Sequence, residues 1–454
     1  MVPQDADNII SRTMDKTIDN RLYDAFLSSS GVSTDSRSIE PGAMFFALKG
    51  ENFDGNRFAS QALASGASWA VVSRDSGIPD EGQYIVVDDT IEALQKLARR
   101  HRSRFRIPVI GLTGTNGKTT TKELICAVLS AKYRVTATIG NLNNHIGVPL
   151  TLLRITDSTG IAVIEMGANH PGEIAALAAI ALPDYGLITN VGKAHLEGFG
   201  SFEGVKRTKG ELYDYLQRTG DTVFLNADDP ELRSMVSQRP DLKTVCYGTE
   251  SSGAEILPVS TDEPYLRMSL PEGITVRTRL IGSYNAPNVM AALCVGRYFG
   301  VPSEEAAAAI EAYTPSNMRS QLERTGRNLL ILDTYNANPS SMKASIGNFA
   351  ASQFPHKTLI LGQMLELGAD SEAEHLRVME TVASMPDCER AVFVGGEFLH
   401  AAASFPEVAA DRRFTFCRDV EEARTIILNA PMEGCSILLK GSNAVHLPLL
   451  KDIL

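Results

Sequence analysis

The sequence predicts an α/β protein of three domains: a smaller N-terminal α/β domain, a central domain with a parallel sheet of the P-loop type, and a Rossmann-like C-terminal domain. Three observations support this prediction. The chain has 454 residues, 44% hydrophobic and 21% charged, which exceeds a single core and suggests about three domains. Short apolar runs alternate with longer helical stretches. A glycine-rich segment directly follows one apolar run.

The first domain is expected to cover residues 1–106. Strand-like runs at 43–48, 69–73 and 84–89 alternate with alanine-rich helical segments, as in α/β units. The helical segment IEALQKLARRHRSRF then leads to Pro108. Proline disfavours helix in the residue before it, so a boundary near Arg106 or Ile107 follows.

The second and third domains are expected at residues 107–312 and 313–454. Continuous apolar runs predict buried parallel strands in both of them. NVMAALCVGRYFG is predicted to be the last helix of the central domain. The predicted strands are PVIGLTG, IAVIEMG and YGLITNV in the central domain, and NLLILDTY, KTLILGQM, RAVFVGG and CSILLKGS in the third.

Composition narrows the functional classes. A net charge of -11 argues against a nucleic-acid or membrane surface. The six cysteines form no C-x-x-C pair, which indicates neither a zinc site nor a disulfide framework. The first 16 residues lack an apolar core, and no segment reaches the roughly 18 apolar residues of a membrane span. We therefore expect a cytoplasmic protein without membrane insertion.

A phosphate-binding loop is predicted between the strand PVIGL and the helix that follows it. Backbone amides of the loop and helix would face an anion, Lys118 would contact the β and γ phosphates, and the Thr119 hydroxyl would reach Mg²⁺. Leu112 stands where the general pattern has glycine, so a glycine-rich turn that only starts a helix is the alternative. The loop residues are Gly114, Thr115, Asn116, Gly117, Lys118, Thr119 and Thr120.

Other polar residues have two interpretations each when taken alone. Glu165 ends a buried strand, at the sheet edge where α/β proteins bind ligands, but it could instead cap the next helix. His195 in a loop is more often a surface or packing residue. Lys209 and its neighbour Lys206 could simply form a solvated helix face.

The motifs taken together resemble the Mur ligases, ATP-dependent amide-forming enzymes that act on UDP-N-acetylmuramic acid derivatives. The likeness is greatest to the member that attaches D-alanyl-D-alanine to the UDP-N-acetylmuramoyl-tripeptide, and EMGANHPGEI and DTYNANPSSM discriminate best. Another Mur ligase, a folate-type ligase or a nucleotide-binding regulator are the alternatives. The further matching motifs are STDSRSIEPGAMFFALKGENFDG, GTNGKTT, NLNNHIGVPLTLL, TNVGKAHLEGFGS, KGEL, NAPNVMAA, LGQMLELG and LKGS.

The resemblance implies an ATP and metal site. It makes Thr119, Glu165 and His195 ligands of Mg²⁺, and it makes Lys209, or less plausibly Lys206, a carbamoylated lysine that supports a second Mg²⁺. It places ATP against residues of three later segments, although Tyr284 and Pro287 depart from the family pattern. These are Asn285 and Asn288 on the adenine side, Arg319 on the phosphates and Asp333 on the ribose.

Further residues are implied in substrate binding. Asn56 departs from the family pattern near the uridine side, and a turn rich in Ser and Asp is the alternative there. Either Arg319 or Asp333 could instead belong to an ordinary interdomain ion pair. Asn285 and Asn288 could be a helix cap and a polar residue of the first turn of that helix. Lys440 could simply be a solvated lysine at the end of a strand. The implied substrate-binding residues are Asp35, Ser36, Arg37, Lys49, Asn141, Asn144, Asn336, Asn338 and Lys440.

The reaction implied by the resemblance passes through an acyl phosphate and requires no nucleophilic side chain. Lys118, Glu165, His195 and Lys209 would act by positioning and by charge neutralisation. We expect a monomer whose third domain closes on ATP.

Overall fold

The computed structural model describes residues 17–50, 52–260, 262–315 and 318–454. The N-terminal stretch on which the expectation about secretion rests lies outside these residues. The described chain forms two compact units. The first runs to Gly111 and includes Arg134–Met166 and Ala175–Asp184, and the second contains the rest.

The described elements follow one another in an alternating order. The strands are β1 (Val32–Ser33), β2 (Met44–Phe46), β3 (Lys49–Gly50), β4 (Phe53–Asp54), β5 (Trp69–Ser73), β6 (Tyr84–Val87), β7 (Val109–Thr113), β8 (Val135–Ala137), β9 (Ile161–Glu165), β10 (Tyr185–Ile188), β11 (Thr222–Asn226), β12 (Lys243–Tyr247), β13 (Glu255–Ile256), β14 (Arg267–Ser269), β15 (Thr275–Arg277), β16 (Gln321–Arg324), β17 (Leu329–Asp333), β18 (Lys357–Gly362), β19 (Cys388–Val394), β20 (Phe414–Cys417) and β21 (Ser436–Lys440).

The helices are α1 (17–27), α2 (Ala59–Ala64), α3 (Thr90–Ser103), α4 (Lys118–Leu129), α5 (Gly147–Leu152), α6 (Glu173–Ala181), α7 (Leu196–Phe199), α8 (Phe202–Thr219), α9 (Pro230–Ser237), α10 (Ala286–Tyr298), α11 (Ser303–Ala312), α12 (Pro339–Ala351), α13 (Ser371–Ala383), α14 (Gly396–Ser404), α15 (Pro406–Ala409) and α16 (Val420–Asn429). Single 3₁₀ turns lie at Gly55–Phe58, Arg74–Ser76, Ser283–Asn285, Gly368–Asp370, Asn443–Val445 and Leu447–Leu450.

The N-terminal sheet has the parallel order β1-β2-β5-β6. Its strands form because their apolar side chains are buried, as Phe45, Ala70 and Val72 are in one core cluster. Helix α3 begins after Asp89, whose carboxylate accepts from the amides of Ile91 and Glu92. The α/β alternation predicted for this region is confirmed.

The middle sheet has six strands in the order β12-β11-β10-β7-β9-β8. The pairs β8–β9, β10–β11 and β11–β12 are parallel, and the predicted strands IAVIEMG and YGLITNV contain β9 and β10. Helix α10 is the segment expected to be the last helix of the central domain. Helix α11 follows it and packs against both α4 and α10, because its alanine-rich face buries Ala306, Ala307 and Ile310.

The C-terminal sheet has the order β16-β17-β21-β18-β19-β20. Strand β16 is antiparallel to β17, and the remaining pairs are parallel. Two buried clusters form its core. Parallel strands place their carboxyl ends at one edge, so Asp333 and Lys440, which end β17 and β21, lie side by side in register.

A small antiparallel sheet, β13-β14-β15, was not predicted from the sequence. Its strands are only two or three residues long, which is too short for an alternating pattern. Among the described residues, no helix combines the length and the apolar character required to cross a bilayer.

One buried histidine in the first unit makes stability depend on pH. His101 is 5% exposed, its Nε2 contacts the Ile155 carbonyl oxygen at 2.8 Å, and its Nδ1 contacts the Tyr23 hydroxyl at 3.2 Å. Burial lowers the pKa of His101 below its ordinary value of 6.5. The unfolded chain therefore takes up the proton first as the pH falls.

The stability associated with neutral His101 is present above pH 6.5 and is lost as the pH falls toward the lowered native pKa. We expect the free energy of unfolding of the parent to fall more steeply than that of His101→Phe between about pH 7.5 and about pH 5.5. Urea unfolding at both pH values measures the difference. Equal slopes for parent and variant would show that this histidine does not control the dependence.

Candidate active site

The phosphate loop connects β7 to α4, where the sequence predicted it. Gly114 has φ 142° and Gly117 has φ 76°. A Cβ atom on Gly114 would lie 2.0 Å from Thr189 Oγ1, and one on Gly117 would lie 2.7 Å from Asn288 Oδ1. Both positions therefore require glycine, because the backbone approaches neighbouring side chains too closely for a methyl group.

Two backbone amides of the loop donate hydrogen bonds to another residue of the protein. The Thr115 amide donates to the Asn190 carbonyl oxygen at 3.0 Å, and the Asn116 amide donates to Asn190 Oδ1 at 3.0 Å. These two amides therefore donate to Asn190 and not to an anion in this structure. Helix α4 begins at Lys118, directly after the loop, and the N-terminus of a helix is where backbone amides have no preceding helical carbonyls.

Lys118 is held over its own loop. Its Nζ donates to the Gly114 carbonyl oxygen at 2.8 Å and to the Thr115 carbonyl oxygen at 3.1 Å. Thr119 and Thr120 follow on α4 and are 3% and 6% exposed. The ammonium group is thus already placed at the mouth of the loop.

His195 lies immediately before α7 with φ 50°, an uncommon conformation for a residue with a side chain. Its Nδ1 forms an ion-pair contact with Glu366 Oε2. Burial lowers the pKa of His195, nearby Lys118 and Lys209 lower it further, and Glu366 raises it. The alternative of an ordinary surface histidine does not describe this environment.

Lys209 and Lys206 lie on the same helix, α8, in opposite environments. Lys209 is 2% exposed, its Nζ contacts the Ala168 carbonyl oxygen at 3.4 Å, and burial, with a contribution from Lys118, lowers its pKa to about 7. Lys206 lies 2.7 Å from Glu231, and that hydrogen bond raises its pKa. The solvated-face interpretation is therefore wrong for Lys209.

Glu165 is 1% exposed at the end of β9. Its Oε1 accepts from Asn143 Nδ2 at 2.8 Å, and its amide donates to Thr138 Oγ1 at 2.9 Å. Helix α6 begins only at Glu173, so the interpretation of Glu165 as a helix cap is wrong. Asn143 was missed from the sequence, although it belongs to the quoted motif NLNNHIG.

Asn285 and Asn288, at the start of α10, form a chain of hydrogen bonds with Thr121 of α4. Thr121 Oγ1 donates to Asn288 Oδ1 at 3.0 Å, and Asn288 Nδ2 donates to Asn285 Oδ1 at 2.9 Å. Asn285 precedes α10, but its side chain makes no capping hydrogen bond and donates instead to the Ile281 carbonyl oxygen. The helix-cap interpretation of Asn285 is therefore wrong.

Asp333 and Lys440 form a buried ion pair. Lys440 is 1% exposed, and its Nζ donates to Asp333 Oδ2 at 2.8 Å and to the Asn336 carbonyl oxygen at 3.3 Å. The two residues belong to adjacent strands of one sheet. Lys440 is thus not merely solvated, and Asp333 is not part of an interdomain pair.

Two other residues of the C-terminal segment, Arg319 and Asn338, make different kinds of contact. The Arg319 guanidinium carbon lies 3.8 Å from the centre of the Tyr335 ring. Asn338 caps α12 by accepting from the Ser341 amide, and its Nδ2 donates to Asn116 Oδ1 at 2.8 Å. Asn338, predicted to position a substrate, thus contacts the phosphate loop in this structure.

The N-terminal candidates form local contacts. Arg37 donates to Asp35 at 2.9 Å and 2.8 Å, and the hydrogen bonds hold the pKa of Asp35 at about 2. Ser36 lies between them in a turn. Lys49 Nζ lies 2.5 Å from Asp75 Oδ2. These contacts agree with the interpretation of this segment as a turn. A role of the four residues in substrate binding stays a prediction.

Two asparagines of the same unit have structural contacts. Asn56 is 6% exposed and donates to Asp54 and Ser73, so its departure from the family pattern is accommodated by packing. Asn144 Oδ1 accepts from the Ile146 and Gly147 amides at the start of α5. Asn141 is exposed.

Three family models match the chain: the Mur ligase family catalytic domain at residues 28–102, the Mur ligase middle domain at 112–296, and the Mur ligase glutamate ligase domain at 318–443. The chain is also 37% identical over 433 residues to the UDP-N-acetylmuramoyl-tripeptide--D-alanyl-D-alanine ligase of Bacillus subtilis (strain 168), covering 93% of each. The chain belongs to the Mur ligase family.

Solved structures of Mur ligases have the same fold as this chain. A crystal structure of MurF from Acinetobacter baumannii superposes with a TM-score of 0.82 at 31% identity, covering 95% of this chain and 97% of that one. MurF from Thermotoga maritima in complex with ADP gives a TM-score of 0.80 at 28% identity, with coverage of 94% and 97%. The predicted family and fold class are confirmed.

The buried pair at the C-terminal sheet edge generates a stability prediction. Asp333→Ala leaves Lys440 as an uncompensated buried cation, so we expect a loss of about 3 to 5 kcal/mol in the free energy of unfolding. The double variant Asp333→Leu/Lys440→Met removes both charges and is expected to lie within about 1 kcal/mol of the parent. Urea unfolding measures both. A double variant as unstable as Asp333→Ala would contradict this account.

Proposed function

We propose that this Mur ligase joins D-alanyl-D-alanine to UDP-N-acetylmuramoyl-tripeptide with ATP, in the synthesis of peptidoglycan precursors. The observation that carries the proposal is the phosphate loop at the carboxyl end of β7, with Lys118 over its mouth, in a chain that matches a ligase of that name along 93% of its length. The loop accounts for the nucleotide, and the full-length match accounts for the choice of substrates.

ATP would bind with its phosphates at the first turn of α4. Helix N-terminal amides and the Lys118 ammonium favour a phosphate group there, and Lys118 would exchange its loop carbonyl contacts for phosphate oxygens. Asn285 and Asn288 would lie on the adenine side, Arg319 on the phosphates and Asp333 on the ribose. Asp333 would retain Lys440 as its partner, which fixes the carboxylate in place.

Mg²⁺ is proposed to accompany the nucleotide. Thr119 and Glu165 would provide the hard oxygen atoms that this ion prefers, and His195 would add an imidazole nitrogen. Within the described ranges, no group of three His, Cys, Asp or Glu side chains could hold a metal alone. Phosphate oxygens must therefore complete the ligand set, as is usual for Mg²⁺ at nucleotide sites.

Lys209 is the proposed site of carbamoylation. Carbon dioxide reacts with a neutral amine, and the buried Lys209 loses its proton far more readily than Lys206, which is paired with Glu231. The carbamate would convert a buried cation near Lys118 into an anion. That change removes a repulsion between two ammonium groups and supplies oxygen ligands for a second Mg²⁺.

The proposed reaction begins when the terminal carboxylate of the tripeptide attacks the γ-phosphorus, giving an acyl phosphate and ADP. The amine of D-alanyl-D-alanine then attacks the activated carbonyl, and the tetrahedral intermediate collapses to the amide and phosphate. Lys118 stabilises the transferring phosphoryl charge, and no side chain forms a covalent bond. A divalent metal would supply further charge neutralisation.

Other parts of the prediction stay proposals. The domain boundaries are proposed at residues 1–106, 107–312 and 313–454, with the UDP part bound by Asp35, Ser36, Arg37 and Lys49. Monomeric state and cytoplasmic location stay predictions. The residues proposed to hold the acceptor peptide and the dipeptide are Asn141, Asn144, Asn336, Asn338 and Lys440.

The test of the function is a reconstituted reaction. With ATP, Mg²⁺, D-alanyl-D-alanine and a UDP-muramoyl tripeptide containing diaminopimelate or lysine, we expect a pentapeptide product by mass and phosphate release that requires both substrates. Lys118→Met should reduce the rate by about 10³-fold, since the transferring phosphoryl group loses its main cation. Lys343→Met, at an exposed position on α12, is the control. ATP hydrolysis without the double requirement would indicate a nucleotide-binding regulator instead.

The modified lysine can be tested separately. Protein equilibrated with ¹³C-bicarbonate should give a carbamate signal in ¹³C NMR spectra that disappears in Lys209→Arg and persists in Lys206→Arg. Both variants keep a positive charge on α8, so the comparison isolates the buried amine. A carbamate signal that persists in Lys209→Arg would refute this assignment.

A further inference from the structure

The contact between His195 and Glu366 joins two segments that are distant in sequence. Glu366 lies between β18 and α13, and its backbone has φ 61°. His195 also has a positive φ, of 50°. Residues with side chains rarely adopt this conformation, and such strain is concentrated at functional sites. The surrounding structure therefore holds both partners of the contact in an unfavourable backbone conformation.

The chemistry of this contact determines which imidazole nitrogen carries the hydrogen. An ionised carboxylate can only accept hydrogen bonds, so His195 Nδ1 must donate to Glu366 Oε2. In the neutral ring, Nε2 then carries the lone pair and can bind a cation.

We propose that Glu366 is a positioning residue, which fixes the tautomer and orientation of His195 so that Nε2 faces the divalent cation accompanying the nucleotide. The proposal rests on the proposed function, because that function supplies the cation. Histidines that bind metals commonly donate their other ring nitrogen to a carboxylate, and removal of that carboxylate typically weakens metal binding by about 10- to 100-fold.

A second ion pair holds the same two segments together. Lys193 Nζ lies 2.9 Å from Glu374 Oε1, and the Glu374 side chain is 6% exposed and also pairs with Arg377. The Lys193 amide donates to Ser340 Oγ at 3.1 Å. The loop bearing His195 is thus attached to the C-terminal segment at independent points. These contacts therefore help to hold Glu366 in place relative to His195.

An opposing interpretation is that Glu366 blocks the histidine and must leave before a metal can bind. The two interpretations predict opposite effects. Removal of a positioning carboxylate weakens metal binding, whereas removal of a blocking carboxylate strengthens it. Metal affinity is therefore the decisive measurement, and it does not require turnover.

The experiment compares Glu366→Ala and Glu366→Gln with the parent. Mn²⁺ binding in the presence of ADP is measured by electron paramagnetic resonance, and the tautomer of His195 is read from ¹⁵N-histidine NMR spectra. We expect Glu366→Ala to weaken Mn²⁺ binding about 10-fold and to shift the tautomer. Glu366→Gln should remain near the parent, because its amide oxygen still accepts from Nδ1.

Glu389→Ala is the matched control. Glu389 Oε1 makes the same type of contact with His356 Nδ1, at 2.8 Å, on an exposed surface. Its removal should leave Mn²⁺ binding and the His195 signals unchanged. Unchanged or tighter Mn²⁺ binding in Glu366→Ala would overturn the proposal. Since neither readout depends on pentapeptide formation, a chain that positions His195 but makes no product would refute the proposed function alone.

Discussion

The close approach of the phosphate loop to its neighbours is the constraint on which the candidate site depends. Gly114 and Gly117 leave no room for a methyl group beside Thr189 and Asn288. The loop is further fixed by the two amides that donate to Asn190. These contacts hold the backbone of the loop in place. In the proposed function, a loop held in this way would reduce the reorganisation cost of binding and catalysis.

Lys118 lies close enough to Lys209 and His195 for its charge to affect both of them. Lys118 contributes to lowering the pKa values of both Lys209 and His195, and burial contributes more. Cations brought together in a poorly hydrated site favour either deprotonation or the arrival of anions. A triphosphate and a carbamate would supply such anions. In the proposed function, the electrostatic field that favours deprotonation of Lys209 would also favour the nucleotide.

Patterns local in sequence predicted the fold and the loop well. β5 comprises the five residues of WAVVS, and α4 begins at the lysine of the loop motif. Partners distant in sequence were not predictable: Glu366 is 171 residues from His195, and nothing in either local pattern connects them. Lys440 illustrates the same limit, because only the register of β17 with β21 shows that a lysine at a strand end is buried against a carboxylate. Local patterns specify elements, and tertiary contacts decide the environment of each polar side chain.

The departures from the family pattern at Tyr284 and Pro287 show how a site tolerates change nearby. Pro287 lies in the first turn of α10, where the missing amide hydrogen has no helical acceptor to lose. The Tyr284 hydroxyl contacts Ser320 Oγ at 3.0 Å, and Asn285 Nδ2 donates to the same oxygen at 3.2 Å. Tyr284 is thus held beside Asn285 without displacing the contacts among Asn285, Asn288 and Thr121. Those contacts also place Asn288 against Gly117, so the departure at Tyr284 leaves the contact between α10 and the phosphate loop intact.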